Sequence, residues 1–316
     1  MKVLISDYRN AFTQEYELSQ QAITGLCEAD VSLCAYEDEQ FLDFLHNTDV
    51  LITAYLKIDE SFLRKAPHLK AISISASGYS NCDLEALVRH QITLMHIKEY
   101  CSREVSEHAL SLLMSLNRRL PFYKNDVDHE HWQYQEFPMK TLDRSSVTIY
   151  GFGHIGKITA SLCHALGMKV SIVDPFVQKA AYPIVSKETG AQADFIISHM
   201  PLTKTNSHYF NDAFFQAMPS TSFFINVARG GLVDEAALVK ALDEHKIAGA
   251  GLDVLSEENP DLHNHPLLHR DNVILTPHAA FYSTASIQRL FTIAGKNAAY
   301  YLRNEPDRIQ EIVRGK

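Results

Sequence analysis

Residues Ser146–Asp174 read SVTIYGFGHIGKITASLCHALGMKVSIVD, a β-branched run, a glycine turn, an amphipathic helical pattern and a second β-branched run that ends in an acid. Gly151 permits a tight turn, Gly153 lets the backbone approach a pyrophosphate, and Gly156 lets the helix lie close to the strand. The helix N-terminus offers N–H groups to phosphates. Asp174 is placed to accept hydrogen bonds from ribose hydroxyls and to repel a 2′-phosphate, which predicts NAD rather than NADP.

Two alternatives share parts of this pattern. One is a glycine turn followed by a surface acid, and the other is a nucleoside methyl-donor site on a similar fold. The preceding strand, the following helix and the acid at the expected distance occur together here. Their combination favours dinucleotide binding.

The bulk composition indicates a globular protein that acts on small molecules. The 316 residues are enough for two domains, 46% are hydrophobic and 21% charged, and the net charge is −9. This negative net charge does not indicate the basic surface that binding to nucleic acid or to an anionic membrane requires. No apolar run reaches the length of a membrane span, and the first ten residues resemble a strand rather than a signal peptide. We therefore expect a cytoplasmic protein that binds neither nucleic acid nor membrane.

Cysteine and histidine usage predicts no disulfide and no metal. The five cysteines are scattered and never form a C-x-x-C pair, which is typical of reduced thiols in the cytoplasm. The densest histidine groups are 129–131 and 263–269. Neither has the helical pair with a third ligand that a zinc site requires, so solvated histidines are expected.

Strand and helix patterns alternate along the chain. Strand-like runs occur at 2–6, 31–36, 50–53, 69–75, 92–96, 146–150, 169–173, 195–198, 222–227, 248–254 and 273–275. Helical patterns lie between them, one at 104–119 is stopped by Pro121, and one at 283–303 is long enough to return to the first domain. Trp132, in the connection at 124–144, is interpreted as a packing anchor. The alternation predicts an α/β protein with two doubly wound parallel sheets.

Three side chains capable of chemistry follow strands of the second half: Arg229, Glu258 and His278. Ligands of parallel sheets bind outside the carboxyl ends of the strands. A guanidinium there can bind a substrate carboxylate, although Arg229 is also open to pairing with Asp234 or capping a helix. A histidine beside a carboxylate has a fixed orientation and a raised pKa, as a proton donor to a carbonyl requires. Together the three predict hydride transfer assisted by acid/base chemistry.

On these motifs the chain resembles the NAD-dependent D-isomer-specific 2-hydroxyacid dehydrogenase family. The match includes the segments around these residues and 77–83, 100–108, 199–205, 226–235, 249–254 and 276–280. The resemblance implies a Rossmann NAD-binding domain at 99–283, inserted into a flavodoxin-like substrate domain at 1–98 plus 284–316. It also implies a homodimer formed through the NAD-binding domain.

The resemblance implies site residues as well. His278 would be the acid/base, Glu258 would tune it, and Arg229 would bind the substrate carboxylate and carbonyl. Substrate contacts would also come from Ser75, Ala76, Ser77, Gly78, Tyr79 and Phe281. Contacts with NAD(H) would come from Gly151, Gly153, His154, Ile155, Gly156, Asp174, His199, Pro201, Thr205, Val227, Ala228, Arg229, Asp253 and His278.

The chain departs from the family pattern in four places. His154 stands where many members have arginine, and the stretch from Asp174 to His199 is short. Asn259 separates Glu258 from Pro260, which leaves Glu257 as an alternative to Glu258. The Phe281-Tyr282 pair that follows His278 resembles the sequence found at this place in the branch that contains D-lactate-type dehydrogenases and C-terminal binding protein corepressors. These two rings either line the substrate pocket or pack in the core.

Two functions of different class follow. The first is the interconversion of a 2-oxo acid and a D-2-hydroxy acid with NAD. The second is an NAD-sensing, corepressor-like binding protein with little turnover. Phosphite or formate oxidation is a third option within the family, although a Glu–His pair argues against formate.

Overall fold

The computed structural model describes residues 1–134, 139–257 and 260–313; the predicted Glu258 and the inserted Asn259 lie outside them. The chain divides into two compact units. The first unit comprises residues 1–100 and the chain from 283 onward, and the second comprises 101–282. The predicted domains were 1–98 plus 284–316 and 99–283. Within the described residues, no helix combines the length and apolar character that a membrane span needs.

The first unit contains a six-stranded sheet in the order β2-β1-β3-β4-β5-β12. Its strands are β1 (Lys2–Ile5), β2 (Asp30–Leu33), β3 (Val50–Thr53), β4 (Ala71–Ile74), β5 (Thr93–His96) and β12 (Glu311–Val313). The first five are parallel in the flavodoxin-like order. β12 is antiparallel to β5 and adds an edge strand that was not predicted to the predicted parallel sheet. Three residues are too few to show a period, so β12 left no signal in the sequence.

Five α-helices of the described residues cover this sheet: α1 (Tyr16–Thr24), α2 (Phe41–His46), α3 (Glu60–Leu63), α4 (Leu84–Arg89) and α11 (Thr284–Leu302). α1 and α11 pack closely because Gly295 has no side chain. A methyl group there would lie 2.4 Å from the Ser19 carbonyl oxygen. The Ser19 hydroxyl also donates to the Phe291 carbonyl at 2.7 Å. α11 therefore contributes to the core of the first unit.

The second unit contains a parallel sheet in the order β7-β6-β8-β9-β10-β11. Its strands are β6 (Ser146–Tyr150), β7 (Lys169–Val173), β8 (Phe195–Ser198), β9 (Phe223–Asn226), β10 (Gly249–Leu252) and β11 (Val273–Leu275). Its helices are α5 (Ser102–Asn117), α6 (Leu120–Asp128), α7 (His154–Ala165), α8 (Lys187–Gly190), α9 (Asp212–Ala217) and α10 (Glu235–Asp243). This is the Rossmann arrangement with its third strand reduced.

The short stretch after Asp174 explains that reduction. Beside β7, where the third strand of a Rossmann sheet runs, only Ile184 forms a parallel bridge with Ile172. The Ile172 N–H donates to the Pro183 carbonyl and the Val185 N–H to the Ile172 carbonyl, both at 2.9 Å. The edge of β7 is thus paired over a few residues and the chain then continues into α8, which was not predicted.

Helix ends follow the local sequence. The Asp234 carboxylate accepts a hydrogen bond from the Ala237 N–H, and Ser283 forms a capping box with Ser286. Pro121 does not end α5 directly. α5 ends at Asn117, and Pro121 lies in the first turn of α6, where its missing N–H costs nothing.

Candidate active site

The glycine turn between β6 and α7 has the geometry that its sequence predicts. Gly151 has a φ of 91°, and a methyl group there would lie 2.8 Å from the His199 backbone. A methyl group at Gly156 would lie 2.1 Å from the Gly151 carbonyl oxygen. At Gly153, by contrast, it would meet nothing within 4 Å. The N-terminus of α7, with His154 and Ile155 in its first turn, therefore faces open space that suits a pyrophosphate.

Asp174 lies at the end of β7 and braces this turn. Its carboxylate accepts hydrogen bonds from the Phe152 N–H at 2.7 Å and from the Phe176 N–H at 2.9 Å. A half-buried carboxylate beside the glycine turn suits a dinucleotide ribose. The residues present therefore fit NAD(H), with phosphates at α7 and a ribose at Asp174.

His199 follows β8 and holds the other side of the turn. Its N–H donates to the Tyr150 carbonyl at 2.7 Å. The Thr159 hydroxyl donates to the Ile155 carbonyl at 3.2 Å, so it accepts from the His199 Nε2–H at 2.8 Å. Burial lowers the pKa of His199 to about 3, so the ring is neutral. Nδ1 is buried and has no hydrogen-bond partner in the described part of the chain.

The loop after His199 contains the predicted contacts Pro201 and Thr205, both exposed. Asn206 closes this loop. Its side-chain amide donates to the Pro201 carbonyl at 2.9 Å, and its side-chain oxygen accepts from the Thr203 N–H at 2.7 Å. The loop thus stands open beside the glycine turn.

Arg229 lies on a turn that Asn226 holds. The Asn226 amide donates to the Arg229 carbonyl at 3.0 Å, and its oxygen accepts from the Ala228 N–H at 3.1 Å. Val227 and Ala228 are buried, whereas the Arg229 side chain is exposed. Its guanidinium donates to the Ala228 carbonyl, and it forms no ion pair with a residue that the structure describes. Asp234 caps α10 instead of pairing with it, so the guanidinium is available to an anionic substrate.

Glu235 holds the segment that leads towards Glu257. Its Oε1 accepts from the Ser256 N–H at 2.5 Å, and its Oε2 lies 3.8 Å from the His265 Nε2. Glu257 is exposed. Glu235 was not predicted as a site residue, although it lies next to Asp234 in the segment 226–235 that matches the family.

His278 follows β11 in the left-handed region, with a φ of 51°. Its N–H donates to the Asp253 carbonyl at 2.8 Å, and its ring meets that of Phe281 edge to face at 6.4 Å between centroids. Phe281 also packs against the core of the second unit, whereas Tyr282 is exposed. Asp253 in turn donates its N–H to the Asn226 carbonyl at 2.9 Å. Asn226 therefore supports both the Arg229 turn and the residue that holds His278.

Asp253, predicted to contact the cofactor, is 1% exposed. Its carboxylate accepts from the Thr276 hydroxyl at 2.5 Å and from the Ala279 and Ala280 N–H groups at 2.9 Å. His108, to which the sequence assigned no role, lies 2.9 Å from the Thr276 hydroxyl. Its position in the segment 100–108, which matches the family, could have indicated a role in the site.

The predicted substrate loop, Ser75–Tyr79, follows β4 in the first unit. Ser75 is buried, and its hydroxyl has no hydrogen-bond partner among the described residues. The Ala76 carbonyl accepts from the Ile97 N–H at 3.1 Å, and the Tyr79 ring meets that of His96 at 4.9 Å. Ser77 and Gly78 are exposed. The loop is thus anchored at both ends with its middle open.

No group of three or more His, Cys, Asp or Glu side chains within residues 1–134, 139–257 and 260–313 is arranged to hold a metal ion. The histidines of 263–269 instead lie in a loop in which His265 approaches Glu235.

Comparison with known proteins places this geometry in context. Residues 110–280 match the NAD-binding domain of the D-isomer specific 2-hydroxyacid dehydrogenases. The chain is 32% identical over 281 residues to a glycerate dehydrogenase of Methylorubrum extorquens, covering 86% of this chain and 88% of that protein. It is 31% identical to a D-lactate/D-glycerate dehydrogenase of Pediococcus acidilactici, over 72% of this chain and 74% of the relative. Its fold is similar to that of the Aquifex aeolicus D-lactate dehydrogenase complexed with NAD and lactic acid, with a TM-score of 0.83, 26% identity and 99% of each chain covered.

Proposed function

The chain belongs to the family of D-isomer-specific 2-hydroxyacid dehydrogenases, and on that premise we propose that His278, Arg229 and Glu258 carry out its reaction. The protein is an NAD-dependent oxidoreductase that interconverts 2-oxo and D-2-hydroxy acids. None of the relatives named above is described as a corepressor or as a phosphite or formate dehydrogenase.

In the reducing direction, NADH held at the N-terminus of α7 and at Asp174 would supply the hydride that a substrate carbonyl carbon accepts. Arg229 binds the substrate carboxylate and polarises the carbonyl through its guanidinium. His278 donates a proton to the carbonyl oxygen, and in the reverse reaction it removes that proton from the hydroxyl. Glu258 stabilises the protonated imidazole, a role that rests on the family resemblance.

The proposal also gives a loop of the first unit a substrate-binding role. Backbone N–H groups of the loop Ser75–Tyr79 bind the substrate carboxylate, and the exposure of Ser77 and Gly78 supports this role. Phe281 contacts the substrate side chain, which its ring contact with His278 supports.

The observation that carries the proposal is the support that Asn226 gives to both side chains, since it holds the Arg229 turn and, through Asp253, the backbone of His278. His278 is one of nine described non-glycine residues with a positive φ, so its backbone conformation guides the choice of replacement. The replacement His278→Asn tests the role without adding strain, because asparagine tolerates the left-handed region. His269→Asn is a matched control, since His269 has a φ of 57° but lies in an exposed loop.

The assay follows NADH oxidation with pyruvate, hydroxypyruvate, glyoxylate, phenylpyruvate and branched 2-oxo acids. We expect His278→Asn to lower kcat by about 10²- to 10⁴-fold, with the Kd of NADH preserved in a fluorescence titration. His269→Asn should match the wild type. Unchanged turnover in His278→Asn would refute the assignment, and a wild type inactive on every substrate would favour the binding-protein alternative.

We also propose that the protein is a cytoplasmic homodimer. All five cysteines are thiols, three of them buried, as suits a reducing compartment. No residue of α6 is buried, and the rings of Trp132 and Tyr134 are 86% and 85% exposed. Trp132 is therefore not the packing anchor that the sequence predicted. Neighbouring exposed apolar side chains, here Val127, Trp132 and Tyr134, form the kind of patch that is typical of a contact surface, which supports pairing through the second unit.

A further inference from the structure

We propose that His108 is a positioning residue for His278 and that it acts through Thr276 and Asp253. This inference rests on the proposed acid/base role of His278. The three residues form a hydrogen-bonded chain that begins on α5 and ends beneath the turn that carries the catalytic imidazole.

The chemistry of the groups fixes the direction of this chain. The Thr276 hydroxyl donates its single proton to the Asp253 Oδ1 at 2.5 Å. The same hydroxyl oxygen must then accept from the His108 Nε2–H at 2.9 Å. The His108 Nε2 also lies 3.5 Å from the Asp253 Oδ1. His108 therefore directs a donor towards the buried Asp253 carboxyl group, both through Thr276 and directly at 3.5 Å.

Asp253 connects this hydrogen-bonded chain to His278. A carboxylate has about four acceptor positions. In Asp253, three of them are used by Thr276 and by the N–H groups of Ala279 and Ala280. The carbonyl of the same residue accepts the His278 N–H. His278 is therefore held from both sides, through the peptide of Asp253 and through its side chain.

The helix α5, which carries His108, packs closely against the strand that leads to Asp253. α5 packs against β10 where Gly251 has no side chain, since a methyl group there would lie 3.0 Å from the Leu112 Cβ. His108 lies one helical turn before Leu112, and Asp253 lies two residues after Gly251. The close approach of α5 to β10 at Gly251 therefore helps to set the distance between the His108 imidazole and the Asp253 carboxylate.

The test compares variants that remove the donor with variants that restore it. His108→Leu removes the donor and keeps bulk, whereas His108→Gln keeps an N–H donor. Thr276→Val removes the hydroxyl and Thr276→Ser restores it. We expect His108→Leu and Thr276→Val to lower kcat about 10- to 100-fold, as the misplacement of a catalytic group does, with the KM of the 2-oxo acid changed less than about threefold. The Gln and Ser variants should recover most of the loss.

Two further readouts separate positioning from general destabilisation. The double variant His108→Leu/Thr276→Val should lose no more than the worse single variant, because both changes break one chain. The solvent deuterium isotope effect on kcat should rise in the Leu and Val variants, since proton donation becomes more limiting. If His108→Leu does not fold, the Thr276→Val and Thr276→Ser pair decides the question.

The outcomes distinguish this inference from the proposed function. Wild-type turnover in His278→Asn would overturn the acid/base assignment itself. An inactive His278→Asn together with wild-type kcat and isotope effects in His108→Leu and Thr276→Val would overturn only the positioning role. Equal losses in His108→Leu and His108→Gln would also overturn it.

Discussion

The α-carbon of Gly230 lies directly against the backbone of Leu255. A methyl group at position 230 would be 1.7 Å from the Leu255 carbonyl oxygen. This contact joins the turn that carries Arg229 to the segment after β10 that leads towards Glu257. The spacing between the proposed substrate-binding and acid/base parts of the second unit therefore depends on a missing side chain.

Gly230→Ala should consequently destabilise the protein, because backbone atoms cannot move aside as a flexible side chain can. We expect a loss of about 3 kcal/mol in the free energy of unfolding, measured by urea denaturation. Gly78→Ala is the matched control, since a methyl group at Gly78 meets nothing within 4 Å. Equal stability of the two variants would contradict the packing argument.

Replacement of Asp174 should change the choice between NADH and NADPH. Asp174→Ala removes the acceptor for the ribose and for the Phe152 and Phe176 N–H groups, so kcat/KM with NADH should fall about 10- to 100-fold. Asp174→Asn keeps one acceptor but removes the charge, so mainly the discrimination against NADPH should relax. Steady-state kinetics with both cofactors measure this, with Asp143→Asn as a surface control. An unchanged NADH/NADPH ratio in both variants would remove Asp174 from the cofactor site.

The carboxyl group of Asp194 makes the free energy of unfolding depend on pH in the acidic range. Burial alone would raise the pKa of its carboxyl, but hydrogen bonds from Lys140 and from the Ser146 N–H and hydroxyl outweigh burial and hold the pKa below the ordinary 3.8. A depressed folded pKa contributes stability above pH 3.8 that is lost as pH falls through the folded value.

Asp194→Asn should therefore cost about 2 kcal/mol at pH 7, and its difference from the wild type should shrink as the pH falls below 3.8. Unfolding measured from pH 7 to pH 3 checks this. A difference that is the same at both ends would show that packing, rather than charge, explains the loss.

The exposed rings after α6 predict the oligomeric state. Trp132→Ser with Tyr134→Ser should shift a dimer towards monomer in sedimentation velocity at micromolar concentration. Phe176→Ser is the control, because Phe176 is 91% exposed but lies after β7. A wild type that is monomeric, or a double variant that stays dimeric, would contradict pairing through this surface.

Local patterns predicted most of the elements because each pattern is short. The close contact of Gly156 with Gly151, the cap at Asp234 and the capping serine at 283 all involve residues within five positions of one another. The residues that determine each of these features therefore lie within the feature or next to it in the sequence. By the same logic the three-residue β12 and four-residue α8 escaped prediction, since neither is long enough to show a period.

The amino-acid sequence by itself determined the alternating α/β order, the glycine turn with its acid, and the chemical groups at the strand ends. Tertiary structure alone decided which distant groups support them. Asn226 joins the Arg229 turn to Asp253, and His108 reaches Thr276 from 168 positions away. Such contacts depend on strand register and on close approaches at Gly230 and Gly251, which bring residues together only after the sheet has formed. The sequence names the reacting groups, and the packing of the sheet holds them in place.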